Sequence, residues 1–86
     1  MFVIVTYDVA QKRVTKTMKI CRKYLTHVQN SVFEGIITEA KLNKLKNELK
    51  KVIVPADDSI YIYEIQNTKY TRKESIGVIR HKDNIL

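Results

Sequence analysis

An α+β sandwich, in which two helices cover one face of an antiparallel sheet, is the fold that this sequence predicts. Residues 2–9 and 59–65 are rich in the β-branched and aromatic side chains that favour strands. Two further segments, after residue 11 and after residue 38, repeat apolar residues at helical spacing. Because segments of the two kinds alternate along only 86 residues, we expect one ferredoxin-like domain spanning residues 1–86.

The first strand and the helix after it differ in charge. Residues 2–9 contain one acid, Asp8, and the next acid along the chain is Glu34. The apolar stripe of the predicted helix is formed by Val14, Met18, Cys21 and Leu25. A row of lysines, called the lysine row below, repeats the same spacing and consists of Lys12, Lys16, Lys19 and Lys23. At about 100° per residue the two sets lie on nearly opposite faces, so we expect the stripe on the sheet and the lysine row in solvent.

The middle of the chain predicts more extended structure and then a second helix. Residues 28–37 are expected to form either one long bent strand or two short strands that meet near residues 33–35. Thr38 is expected to cap the second helix, with Glu39 in its first turn. The apolar stripe of this helix is formed by Leu42, Leu45, Leu49 and Val52. Pro55 and the two aspartates at 57 and 58 end it.

The last part of the chain predicts two strands and a terminal addition. Residues 59–65 are apolar on both faces apart from Glu64, which indicates an interior strand. We expect a turn at residues 66–72 and a further strand at residues 76–79. The terminal residues Asn84, Ile85 and Leu86 are expected to add a strand to the sheet edge of a partner subunit, and a frayed terminus is the alternative.

The charge of the chain indicates a polyanionic partner. Its net charge is +7, from 16 basic and 9 acidic residues. The acid-free stretch at residues 11–27 is the expected nucleic-acid-binding surface, through Lys12, Arg13, Lys16, Lys19 and Lys23. Residues 41–51 also hold lysines, but Glu48 interrupts them and lysines suit the end of a helix, so we expect a solvated surface there.

Several classes of protein are excluded or disfavoured. Cys21 is the only cysteine, which excludes an intramolecular disulfide and a cysteine-based zinc site within one chain. No apolar run approaches the roughly 20 residues of a membrane helix, and no basic stretch precedes the first strand. The sequence therefore predicts a cytoplasmic protein without membrane association. His27 and His81 are the only histidines, and neither has the spacing of a metal ligand.

Asp8 is open to two interpretations. In the structural one it caps the first helix or pairs with Arg13. In the functional one it is the metal ligand of a site that handles phosphates, and Mg²⁺ is the expected ion because it prefers oxygen ligands. One carboxylate per chain is sparse for that task, but a two-fold axis between identical subunits would supply a pair.

Four pieces of the sequence carry a family resemblance when they are taken together. They are Tyr-Asp-Val at residues 7–9, Arg13 with the basic helix around it, CRKYL at residues 21–25 and VQNSVFEG at residues 28–35. In this order and spacing they resemble the small CRISPR-associated proteins of the Cas-two family, which act in spacer acquisition. The similarity runs from residue 1 to about residue 77.

The resemblance implies a homodimer with a ferredoxin-like fold and places Asp8 at the two-fold axis, where two copies hold Mg²⁺, or Mn²⁺ in its place. It also implies that the dimer bridges integrase subunits of the Cas-one type and supports incoming double-stranded DNA. Some members are described as metal-dependent endonucleases on RNA or DNA. For that activity the resemblance implies Asp8 as the metal ligand, with Tyr7 or Arg13 orienting or stabilising the phosphate.

Three functions remain open from the sequence. The first is a DNA-binding structural subunit that needs no catalysis, and the second is a magnesium-dependent endonuclease. The third is a toxin-type ribonuclease of similar fold, which the family resembles at a distance. Aromatic residues do not separate these functions, because Phe33, Tyr61 and Tyr63 are expected to pack in the core rather than stack on bases.

Overall fold

A computed structural model describes the chain over residues 1–67 and 70–77. Within these residues the elements are β1 (Phe2–Asp8), α1 (Gln11–Tyr24), β2 (Thr26–Gln29), β3 (Val32–Ile36), α2 (Glu39–Val52), β4 (Ser59–Asn67) and β5 (Tyr70–Gly77). The strands pair antiparallel in one sheet of order β2-β3-β1-β4-β5, so β1 is the central strand. This architecture confirms the predicted ferredoxin-like α+β fold.

The sheet has one face under the helices and one face without helices. Along β1 the buried residues are Val3, Val5 and Tyr7, and the residues between them point to the other side. The buried set continues into the neighbouring strands and both helices, and its members are Phe33, Ile60, Ile62, Cys21, Leu42, Leu45 and Leu49. The opposite side is called the helix-free face below.

Both helices follow their predicted stripes, with one unexpected member. Thr17 of α1 is fully buried, although it does not belong to the apolar stripe. Its hydroxyl donates to the carbonyl of Arg13 at 2.8 Å, and this satisfied hydrogen bond allows a polar residue into the core. In α2 the predicted cap is confirmed, because the Thr38 hydroxyl accepts a hydrogen bond from the Lys41 N–H at 3.2 Å.

Two predicted boundaries are wrong. Residues 28–37 do hold two strands, but the turn between β2 and β3 lies at Asn30 and Ser31 rather than at 33–35. Asn30 adopts a φ of 42°, a left-handed conformation that asparagine tolerates in turns. The segment 66–72, predicted as a turn, is mostly strand, because pairing with β4 extends β5 back to Tyr70. Of the strand expected at 76–79, Ile76 and Gly77 belong to β5; residues 78–86, with the predicted terminal addition, lie outside the described residues.

Glu64 is the one acid of the interior strand, and it lies against α2. The ammonium group of Lys46 is 3.6 Å from the Glu64 carboxylate and 2.7 Å from that of Glu74 on β5. Lys46 and Glu64 are both nearly buried, so each charge has its partner within the protein. This ionic cluster ties α2 to the outer half of the sheet.

Asp58 joins three parts of the chain through one buried carboxylate. It accepts hydrogen bonds from Arg13 Nε at 2.6 Å and from Arg13 Nη2 at 3.0 Å. The backbone N–H groups of Ala10 and Val54 donate to the same carboxylate at 2.9 and 2.8 Å. The Asp58 side chain is 0% exposed, and the Arg13 guanidinium, with these backbone donors, holds the pKa of Asp58 well below its usual range. The start of α1 is thereby fixed to the loop between α2 and β4.

We expect Asp58→Ala to lower the free energy of unfolding by about 3 kcal/mol or more, because it leaves the Arg13 charge without its partner and two backbone donors without an acceptor. Chemical denaturation measures the change. Asp57→Ala is the matched control, since Asp57 is the neighbouring acid and its side chain is 67% exposed. Equal losses in the two variants would contradict the role assigned to Asp58.

Acidification should weaken the fold through the same carboxylate. The pKa of Asp58 is lowered in the folded protein, whereas an aspartate in the unfolded chain has a pKa of about 3.9. Below that value the unfolded chain binds a proton that the folded chain does not, so stability is retained above it and falls as the pH decreases further. Denaturation at pH 7, 4 and 3 should show a steeper loss for the original chain than for Asp58→Asn. Parallel curves would refute this.

Candidate metal site and nucleic-acid interface

Asp8 lies exposed at the end of the central strand. It alternates with Phe2, Ile4 and Thr6 along β1 and therefore belongs to the helix-free face. Its carboxylate borders a concave surface of about 330 Å³, whose lining residues are Tyr7, Asp8, Val9, Val14, Met18, Asn30 and Ser31. This is the Asp8 concavity. The lining includes Val14 and Met18 of α1, so the concavity lies at the end of the central strand, beside this helix.

The hydrogen bonds at the start of α1 assign Asp8 neither of the two structural roles considered for it, which were to cap the helix or to pair with Arg13. The N-cap residue is Ala10, and no side chain caps this end. Arg13 directs its hydrogen bonds to Asp58, with Asp57 a more distant second partner at 4.0 Å. Asp58, rather than Asp8, is therefore the partner of Arg13.

The groups around Asp8 suit a hard cation only as part of a shared site. The Asn30 amide and the Ser31 hydroxyl offer oxygen atoms in the same concavity, and oxygen is the ligand that Mg²⁺ prefers. A third hydroxyl, Ser59 Oγ, is buried and has no hydrogen-bond partner among the described residues. However, residues 1–67 and 70–77 contain no group of three or more histidine, cysteine, aspartate or glutamate side chains that could hold a metal. A bound ion would need waters, substrate phosphates or a second subunit for its other ligands.

Sequence reasoning missed Asn30 and Ser31 as neighbours of Asp8. The β1–β3 register pairs Thr6 with Val32, and the Tyr7 N–H donates to the Ser31 carbonyl at 3.2 Å. Continuing that register by one residue places Asn30 level with Asp8. The segment VQNSVFEG contains both residues, but their place next to Asp8 depends on where the turn between β2 and β3 lies, which the sequence alone did not predict.

Tyr7 is held in the core beneath the concavity. Its ring stacks on Phe33 with centroids 6.2 Å apart, and Phe33 stacks in turn on His27 at 4.5 Å. Burial is the main cause that raises the pKa of Tyr7, with Cys21 adding to it. The phenol therefore stays protonated at neutral pH and can donate a hydrogen bond but cannot serve as a base. The assignment of Phe33 to packing is confirmed, since it is fully buried.

Arg13 is separated from the Asp8 concavity. Its side chain is 12% exposed, and its guanidinium forms two hydrogen bonds with Asp58. It does not line the concavity, which the side chains of Val14 and Met18 border instead. A phosphate ligand role for Arg13 would require it to leave a buried carboxylate, so the structure favours a structural role.

The lysine row is exposed along its whole length. Lys16, Lys19 and Lys23 line a shallow groove of about 440 Å³ together with Ile20 and Val52. Glu48 of α2 accepts hydrogen bonds from the Lys23 ammonium and the Tyr24 hydroxyl, and these donors lower the pKa of Glu48. One end of the row is therefore partly neutralised within the protein.

The two predicted functional groups lie on different sides of the sheet. The lysine row faces outward from the helix layer, whereas Asp8 belongs to the helix-free face. Only Lys12, in the first turn of α1, is close to Asp8 along the chain. The structure therefore separates a cationic surface from a carboxylate site instead of merging them in one active site.

The helix-free face carries apolar side chains among polar ones. Its apolar residues are Phe2, Ile4, Val32, Ile36, Tyr61, Tyr63 and Ile65, and the strand registers place Thr6, Glu34, Lys73 and Ser75 on the same face. Ile36 is 83% exposed, and the Lys73 ammonium lies 4.8 Å from the ring centroid of Tyr61. Burial raises the pKa of Tyr63 on this face. Apolar surface of this kind on a small domain is typical of an interface.

The fold and these two surfaces define a small basic α+β protein with one exposed carboxylate at the end of its central strand. The family model for CRISPR associated protein Cas2 matches residues 1–73. The chain therefore belongs to the Cas2 family, as the motifs around Asp8 predicted.

Individual relatives agree with this assignment. The chain is 53% identical over 77 residues to CRISPR-associated endoribonuclease Cas2 3 of Thermodesulfovibrio yellowstonii, covering 90% of this chain and 88% of that protein. It is 43% identical over 86 residues to CRISPR-associated endoribonuclease Cas2 of Thermotoga maritima, covering 100% and 99%. The crystal structure of Streptococcus pyogenes Cas2 matches with a TM-score of 0.70 and 39% identity, over 76% of this chain and 86% of that one.

A second solved structure, described as a crystal structure of Cas2, matches with a TM-score of 0.74 and 36% identity. It covers 100% of this chain and 93% of the other.

Over the described ranges, neither α1 nor α2 is long and apolar enough to cross a membrane.

Proposed function

We propose that the chain acts in CRISPR adaptation as a homodimer that binds double-stranded DNA, bridges integrase subunits of the Cas-one type and holds a Mg²⁺ or Mn²⁺ ion between two Asp8 carboxylates. One observation supports the shared site above all. Asp8 lies on the helix-free face at the end of the central strand, so an interface formed by that face, with its two-fold axis near this end of β1, would bring both carboxylates together.

Packing two helix-free faces would cover Ile36, which is 83% exposed, and the half-buried side chains of Phe2, Ile4 and Val32. A two-fold axis makes such an interface self-complementary and places equivalent residues near the axis opposite each other. Strand β1 is central, so its residues are well placed for that position. Two carboxylates brought close together repel each other, and a divalent cation between them removes the repulsion.

The relatives named above are called endoribonucleases, and we extend phosphodiester hydrolysis to this chain as the activity of the shared site. A bound Mg²⁺ would supply Lewis acidity toward a phosphate and lower the pKa of a coordinated water. In this chain Asp8 holds the ion, while Asn30 and Ser31 can donate hydrogen bonds to the substrate backbone in the same concavity. Tyr7 maintains the wall of the concavity from the core side.

Binding of duplex DNA is assigned to the lysine row. Its four ammonium groups are exposed on one helix face and are not arranged to recognise particular bases. They therefore suit contacts with phosphates. Lys16 and Lys19 line the groove together with Ile20 and Val52. Since this surface is separate from Asp8, the chain can hold DNA without cleaving it, as a bridging subunit requires.

Asp8→Asn should abolish metal-dependent cleavage while the dimer persists. We expect cleavage of single-stranded RNA and duplex DNA to fall by roughly 100-fold or more, because a catalytic ion contributes several kcal/mol of transition-state stabilisation. Cleavage is assayed with Mg²⁺ and Mn²⁺, and light scattering gives the mass. Asp57→Asn is the control for loss of one negative charge. Cleavage that survives in highly purified Asp8→Asn would remove Asp8 from the reaction.

Reversing two charges of the row, in Lys16→Glu with Lys19→Glu, should weaken duplex binding by roughly tenfold or more. It should also reduce the slope of log K against log salt by about 2, because each lost phosphate contact removes about 0.9. Fluorescence anisotropy at several salt concentrations measures both. Lys44→Glu with Lys50→Glu changes the net charge equally on the exposed side of α2. Equal losses in the two double variants, with both folded, would assign binding to overall charge instead.

A structural subunit without catalysis is the second candidate. Two observations favour it. Arg13 is held by hydrogen bonds to Asp58, and Asp8 supplies the single carboxylate among the residues that line the concavity. If the purified dimer binds duplex DNA and integrase but cleaves nothing with either ion, this candidate replaces the nuclease. Measurable cleavage that depends on Asp8 excludes it.

A further inference from the structure

Ser59 has a hydroxyl group that the fold does not use. It is the first residue of β4, its side chain is 0% exposed, and its Oγ has no hydrogen-bond partner among the described residues. Burying a hydroxyl without a partner is unfavourable, and such groups in native proteins are rare. The hydroxyl at this position therefore calls for an explanation beyond packing.

Packing requires a small residue here but not a polar one. Ser59 is paired across the strands with Gly77, whose φ is 98°. A Cβ atom added at Gly77 would lie 3.2 Å from the Ser59 Cα and 1.9 Å from the Asp58 carbonyl oxygen, so the two strands are close at this point. Alanine would satisfy the same space, because it lacks only the hydroxyl.

Asp8 is the partner of Ser59 on the other side. The two residues are directly opposite in the antiparallel β1–β4 register. Directly opposite residues point to the same face of the sheet, with Cβ atoms about 4.5–5.5 Å apart. The buried hydroxyl thus lies next to the exposed carboxylate, within the range that a change of side-chain rotamer covers.

We propose that Ser59 is a positioning residue for Asp8, and that its hydroxyl donates a hydrogen bond to the Asp8 carboxylate when that carboxylate holds a divalent cation. This inference rests on the proposed function. Carboxylates that ligate metals are themselves hydrogen-bonded by neighbouring groups, which orient them. Asn30 and Ser31 are accessible to water, whereas Ser59 is screened from it and offers its donor without competition.

The test compares Mn²⁺ binding and thermal stability in Ser59→Ala. Mn²⁺ is the probe because the electron paramagnetic resonance signal of the free ion reports binding without any cleavage assay. We expect the Kd for Mn²⁺ to rise roughly tenfold or more, as for other groups that orient a metal ligand. The Tm should stay the same or rise, because the variant removes an unsatisfied buried hydroxyl.

Two control variants make the outcomes separable. Thr15→Ala removes an exposed hydroxyl on α1, away from the helix-free face, and should leave Mn²⁺ binding unchanged. Asp8→Asn tests the metal site itself: Mn²⁺ binding like that of the original chain would overturn the proposed function. If Asp8→Asn loses binding but Ser59→Ala retains it, only the role of Ser59 is overturned. A lower Tm in Ser59→Ala would also overturn it, because the hydroxyl would then be structural.

Discussion

The rest of the structure depends on the hydrogen bonds between Asp58 and Arg13. The Asp58 carboxylate accepts hydrogen bonds from Ala10 and Arg13 at the start of α1 and from Val54 in the loop after α2. Asp58 itself directly precedes β4. Its bond to the Ala10 N–H fixes the chain two residues after Asp8. The same contacts set where α1 begins and therefore how the lysine row is oriented. Both candidate functional surfaces are thus anchored by a residue that belongs to neither.

The separation of the two surfaces gives the protein a division of tasks. A cationic helix outside the sheet can hold a phosphate backbone by charge alone, which requires no metal. A carboxylate on the helix-free face needs a second subunit to become a complete site. In the proposed function, association between subunits therefore matters more for metal binding than for contacts with DNA.

Periodic features of the sequence predicted much of the fold. The β-branched and aromatic composition of residues 2–9, the lysine row and the Thr38 cap were all recognisable, because each depends only on residues close together along the chain. The partner of Arg13 was not, since 45 residues separate it from Asp58 and no spacing links them. The beginning of β5 at Tyr70 was missed because an edge strand is stabilised by pairing with β4 more than by its own composition. A single buried hydroxyl such as Ser59 leaves no pattern at all.

Glu48 gives α1 an uneven electrostatic field. It offsets the charge of Lys23 near the carboxyl end of the helix, whereas within the described part of the chain no ion pair engages Lys12, Lys16 or Lys19. The positive end of the helix dipole adds to the potential at the amino end. Asp8 and Asp57 place exposed negative charge near this amino end of the helix, so the uncompensated positive charge of the lysine row is concentrated at Lys16 and Lys19, in its middle.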